Sequence, residues 1–95
     1  MIKFLVFAVP PVMILRPAED YRVFEGDEVR LECHASGIPR PKISWKHNGN
    51  LVAEKQDALV IKEMKRKDNG TYKCIARNEA GKVTATTILS IKGNE

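Results

Sequence analysis

The stretch Asp68-Asn69-Gly70-Thr71-Tyr72-Lys73-Cys74 constrains this chain more than any other. Tyr72 and Cys74 stand two residues apart, so on a strand they share one face, while Thr71, Lys73 and Ile75 take the other. Asp68 and Gly70 are turn formers, so the chain corners before it enters that strand. A tyrosine at such a corner suits a phenol laid flat against a core, its hydroxyl bonded back to nearby backbone. Cys74 then wants a partner on a facing strand, and the sequence holds one other cysteine, Cys33, 41 residues upstream. A bridge closing that loop would stabilise the fold by about 4 kcal/mol in the chain-entropy model and would persist only in an oxidising compartment. Two buried free thiols in a cytosolic domain are the alternative.

The segments around this stretch read as strands. Val12–Leu15, followed by Pro17, suits a first edge strand, and Tyr21–Phe24 a short second one, ended by the turn Glu25-Gly26-Asp27. In Glu28–Ala35, Val29, Leu31, Cys33 and Ala35 alternate with polar residues, the pattern of an antiparallel strand with one wet face. Two prolines keep Gly37–Pro41 a loop. Lys42–His47 then puts Ile43 and Trp45 inward and Lys42, Ser44 and Lys46 outward. Asn48-Gly49 signals a hairpin, with Leu51-Val52 as its short return strand. Leu59, Ile61 and Met64 carry the next inward face, and Asn78–Gly81 turns the chain into a closing strand, Val83–Ile91. Lys62–Lys67 holds a single apolar residue, Met64, so no segment carries a helical period. Seven or so short strands mean an all-β sandwich or barrel, and a tryptophan between two distant cysteines selects the sandwich.

Ninety-five residues make one domain. A net charge of +4, mixed in sign, and 6% aromatics give no argument for nucleic acid. No run of eighteen apolar residues is present, so no membrane span is expected. Residues 1–10 read as an apolar extension, either signal-like or the end of a preceding domain joined through Pro10-Pro11. Residues 11–92 form the domain and 93–95 a tail.

In order and spacing, these residues resemble an immunoglobulin domain of the intermediate set. The carriers are Gly26, Leu31-x-Cys33, Gly37-x-Pro39-x-Pro41, Ile43-x-Trp45, Asn48-Gly49, Leu59-x-Ile61-x-x-Met64, Asp68-x-Gly70-x-Tyr72-x-Cys74-x-Ala76-x-Asn78-x-x-Gly81 and Leu89-x-Ile91. The resemblance implies an antiparallel β-sandwich with a Cys33–Cys74 disulfide and a core pin of Leu31, Trp45 and Tyr72. It also implies a corner turn built on Asp68 and Gly70. One departure stands out. Twelve residues separate Trp45 from Ala58, too few for the usual two strand pieces, so the fourth strand of the family, an edge strand, is shortened or missing. The Leu59–Lys62 strand would then lie near the sheet edge with unpaired backbone. Of the region that supplies the basic partner of the family's corner aspartate, Lys55 alone remains for Asp68.

Chemistry is sparse. Cys33 and His34 are adjacent and face opposite ways on a strand, so with His47 and Cys74 they offer no metal-ligand spacing. Both histidines lie near outward-facing positions, and no nucleophile elbow or phosphate loop is present, so neither an enzyme nor a cofactor is expected. Asn69-Gly70-Thr71 is an acceptor sequence for N-glycosylation at Asn69, on an exposed corner. Lys62, Lys65, Arg66 and Lys67 form a basic turn. That turn is either simply solvated or suited to heparan sulphate or an acidic partner patch. The Ile38–Pro41 loop and the Asn78–Gly81 turn are expected at opposite or adjoining rims.

The resemblance implies an extracellular or cell-surface binding module for protein partners, homophilic or heterophilic, of the adhesion or receptor kind. The alternative is a structural domain of an intracellular muscle filament protein.

Overall fold

The computed structural model describes residues 7–93. The signal-like reading of the N-terminus rests on Lys3 and the apolar run Phe4 to Val9, of which residues 3–6 lie outside the described residues. Nine strands follow in order: β1 (Val9–Leu15), β2 (Asp20–Val23), β3 (Val29–Glu32), β4 (His34–Ile38), β5 (Lys42–His47), β6 (Asn50–Glu54), β7 (Ala58–Ile61), β8 (Gly70–Asn78) and β9 (Gly81–Ile91). The one helical turn among the described residues is a 3-10 turn at Arg66–Asp68, at the end of the basic segment, which carries no helical period.

One layer is a five-stranded sheet in the order β2-β9-β8-β5-β6. Facing it are two ladders, β1 with β4 and β3 with β7. Only Cys33 separates β3 from β4, so the two ladders adjoin. This is the sandwich that the resemblance implies. It has one parallel ladder among the described residues, between β2 and β9, with Tyr21 beside Leu89. The chain reaches β2 from the opposite layer, so it enters the five-stranded sheet alongside the last strand.

Alternation produces the core. On β8, Tyr72, Cys74 and Ala76 are buried and Thr71, Lys73 and Arg77 exposed; on β9, Ala85, Thr87 and Leu89 are buried. Ladder partners line up across the inner face: Trp45 with Cys74 and Ala85, and Ile43 with Ala76 and Val83. Val29, Leu31, Cys33 and Met64 close the core from the other layer. Thr87 is the buried polar member, and its hydroxyl donates to the Ala18 carbonyl, which removes the cost of burying it unpaired.

No strand lies between β6 and β7. The connection is pinned instead by backbone bonds: Gln56 N to Ile43 O at 3.3 Å and Cys33 N to Asp57 O at 2.9 Å. Lys55 turns the chain in the left-handed region, at φ 56°. Among the described residues β7 pairs with β3 alone, so its other side is an edge. Gln56 blunts that edge, its Nε2 donating to Ala58 O at 3.0 Å.

Strand β1 starts at Val9, with Val9 opposite Ile38. Pro10 and Pro11 therefore sit within a strand, and Pro11 is buried.

Candidate functional site

The structural lock comes first because it fixes what the surface can present. Cys33 and Cys74 form a disulfide between the two layers, with their Cα atoms 6.6 Å apart, within the usual span of such bridges. Trp45 is opposite Cys74 and fully buried, and its indole Nε1 donates to Gln56 O at 3.1 Å. That bond satisfies the one polar atom of the ring and anchors the short β6–β7 connection. Leu31 is buried beside them in the same core.

The corner is tied from several directions. Asp68 Oδ2 accepts from Lys65 N at 2.9 Å, and the Tyr72 hydroxyl donates to Asp68 O at 2.5 Å. The carboxylate of Asp68 has no ion-pair partner among the described residues, where the ion pairs are Arg30–Glu32, His34–Asp57 and Arg40–Asp57. Burial, and next to it the Asp68 charge, pushes the Tyr72 phenol up to about 12, so it stays neutral and keeps donating. Gly70 takes φ +138°, and a Cβ there would lie 2.7 Å from Asn48 Nδ2. Glycine is required on both counts.

His47 corrects the sequence reading, which puts it near an outward position. It shares the inward parity of Ile43 and Trp45. Its ring stacks on Tyr72, with centroids 4.3 Å apart and planes 2° from parallel. Its Nε2 lies 2.8 Å from Asn69 O and 3.3 Å from Asn48 Nδ2. A carbonyl can only accept, so the short contact puts the proton on Nε2, which then cannot accept from Asn48. Asn48 is already committed, since its Oδ1 accepts from Thr71 N at 2.9 Å. The β5–β6 turn is thereby docked onto the corner.

Asn69 also differs from expectation. The acceptor asparagine is half-buried rather than exposed, and its Oδ1 accepts from Ile91 N at 3.1 Å. It borders a cleft of about 290 Å³ with Phe24, Arg66, Ile91 and Lys92. Lys62, Lys65, Arg66 and Lys67 are all exposed around the 3-10 turn. The loop and turn expected at opposite or adjoining rims adjoin: Asn78 Nδ2 donates to Pro39 O at 2.9 Å and to Val9 O at 2.7 Å.

Among the described residues no group of three or more His, Cys, Asp or Glu side chains could hold a metal ion. No helix among them is long and apolar enough to cross a membrane. What the surface does offer is charge on the outward positions of its strands. The outward residues of β5 and β8 are legible in the sequence as Lys42, Lys46, Lys73 and Arg77, but their mutual placement is not. It follows from ladder register, which no local motif encodes.

Comparison with known proteins places this geometry. A family model described as Immunoglobulin domain matches residues 10–78. Myotilin of Mus musculus is 39% identical over 93 residues, covering 85% of this chain and 18% of the relative. The chain thus spans less than a fifth of the length of the first curated relatives it matches. The insect immune protein hemolin, described with implications for homophilic adhesion, superposes with a TM-score of 0.79 at 30% identity, over 87% of this chain and 22% of its own. A complex of titin M10 with an obscurin-like 1 immunoglobulin domain gives 0.78 at 28% identity, over 88% of this chain and 95% of the matched one.

Proposed function

The chain belongs to the immunoglobulin domain family, and from that premise we propose that it is an extracellular binding module for protein partners in adhesion or receptor assembly. The observation that carries the reading is the Cys33–Cys74 bridge joining the two layers. A disulfide of this kind belongs to an oxidising compartment. The rest of the polar chemistry serves rigidity: the Trp45, Tyr72 and His47 bonds all tie side chains to backbone. A rigid sandwich loses little freedom on docking, so its surface contacts translate into affinity. Likeness to hemolin supports the adhesion sense of the reading.

Asn69 adds a modification to the proposal. An N-linked sugar attaches through the amide nitrogen and leaves Oδ1 free to keep its bond to Ile91 N. The site is half-buried, so occupancy depends on the sugar leaving through the adjacent cleft.

A second reading has its own support. Likeness to myotilin and to a titin complex favours a structural domain of an intracellular muscle filament protein. Alkylation of the protein from native tissue under non-reducing conditions, followed by mass spectrometry, separates the two. An intact bridge with sugar on Asn69 supports the extracellular module. Two alkylated thiols and a bare Asn69 overturn it in favour of the filament domain.

A further inference from the structure

We propose that the outer face of the five-stranded sheet is a docking surface for an acidic protein partner. The proposal rests on the reading of the chain as a protein-binding module and names which surface binds and what it binds.

The ladder registers generate the pattern. Lys42 lies opposite Arg77, and Arg77 opposite Lys82. Four residues along the strands, Lys46 lies opposite Lys73. Strands about 4.8 Å apart and a rise of about 3.3 Å per residue set two cationic rows about 13 Å apart, the first about 10 Å wide. Between them runs a row without cations: Glu54, Ser44, Ile75 and Thr84. On β2, Asp20 stands beside Ile88 and Arg22 beside Ser90 on the same face. The strands of this face therefore carry six cations and two acids, a surplus of four charges, as large as the net +4 of the entire chain. The two acids sit at its opposite edges, on β6 and β2.

Like charges directly opposite one another on a sheet destabilise it. Here Lys42, Arg77 and Lys82 repeat that arrangement across three strands, and Lys46 with Lys73 repeats it again. None of the five lies within 4.0 Å of a carboxylate among the described residues, whose ion pairs all fall on Arg30, His34 and Arg40. The fold thus leaves five cations on one sheet face without an ion-pair partner among the described residues. The basic turn differs in kind: Glu63 and Asp68 are interspersed with its cations, and it occupies a single bend.

The chemistry of the occupant follows from the middle row. A shallow depression of about 420 Å³ lies over Lys46, Lys73, Ile75, Arg77, Lys82 and Thr84. A half-buried isoleucine flanked by hydroxyls and bounded by cations has the layout of a protein interface, apolar at the centre and charged at the rim. An extended acidic strand with alternating Glu-x-Leu-x-Glu side chains matches it, because its glutamates fall about 13 Å apart and its leucine between them. A sulphated sugar would leave Ile75 without a partner. A single nucleic-acid strand would find no aromatic ring among the outward strand residues of these ladders to stack on.

The test is an NMR titration of the 95-residue chain at 150 mM salt with three probes. The probes are a peptide repeating Glu-Thr-Leu-Thr-Glu, a heparin dodecasaccharide and single-stranded DNA. The peptide is expected to shift amides of β5, β8 and β9. The triple variant K73Q/R77Q/K82Q is expected to weaken the peptide at least tenfold, and R77Q alone measurably. Neutralising Lys62, Lys65, Arg66 and Lys67 together should change its affinity less than twofold. The proposal is overturned by the reverse ranking of the variants, by no shift on these strands, or by heparin or DNA binding the face tenfold tighter than the peptide. Any of these removes the face while leaving the binding-module reading, which the state of the bridge tests separately.

Discussion

Replacing Tyr72 by Phe isolates one hydroxyl in the corner. The ring, its stack on His47 and its burial remain, and the bond to Asp68 O at 2.5 Å goes. A net hydrogen bond of this sort contributes about 1 kcal/mol, and the carbonyl left behind raises the loss to about 1–2 kcal/mol at neutral pH. The pH dependence follows from the same group. Burial, with the Asp68 charge adding to it, pushes the folded pKa up to about 12, against about 10 in an unfolded chain. Between those values the unfolded state has released the proton and the folded state still holds it. The contribution is therefore complete below pH 10 and is lost as pH rises towards 12. In full, an offset of this size corresponds to about 3 kcal/mol, of which about 2 kcal/mol is gone by pH 12. Urea unfolding of both proteins from pH 8 to pH 12 reads the effect, since every other group is common to both and cancels in the difference. The variant is expected to be less stable at pH 8, with the gap closing by pH 12. A gap that stays constant across the range would refute the reasoning, because the phenol would then ionise alike in both states.

Three further substitutions probe the bridge, the corner and the basic face. The double variant C33A/C74A should lose about 4 kcal/mol, from the 41-residue loop it opens, in urea unfolding; a loss below about 1 kcal/mol would mean the bridge does not hold the layers together. Gly70→Ala must adopt φ +138° and meet Asn48, so a loss of about 1–3 kcal/mol is expected, and an unchanged midpoint would contradict the corner geometry. Lys73→Glu replaces a like-charged neighbour of Lys46 by an opposite one, so it should stabilise the domain by up to about 1 kcal/mol at low salt. That gain should shrink in 1 M salt, where the screening length is about 3 Å; a salt-independent gain would point to a cause other than charge.

The lock is legible in the sequence because it is written in parity and spacing. Tyr72 and Cys74 two apart, Leu31 and Cys33 two apart, and a tryptophan between the cysteines specify a face without knowledge of the partner strands. The lost edge strand is legible too, as a shortage of residues between Trp45 and Ala58. His47 and Thr87 escape sequence reasoning because parity and polarity disagree at both. Each is polar at an inward position, and each is accommodated by a backbone carbonyl, Asn69 O and Ala18 O, that is distant in sequence. The parallel pairing of β2 with β9 joins segments nearly seventy residues apart and leaves no local trace. The basic face divides the same way. The turn pairing Asn78 with Gly81 sets the β8–β9 register and is readable in principle, which puts Arg77 opposite Lys82. The β5–β8 register spans a hairpin, a crossover and a 3-10 turn, and it alone brings Lys42 to Arg77 and Lys46 to Lys73.

The proposed extracellular role requires the domain to stand outside the cell. Surface labelling of intact native cells with an antibody to the domain tests it most directly. Labelling before permeabilisation, removed by mild external protease, is the expected result. Labelling that appears only after permeabilisation, in a filament pattern, would contradict it.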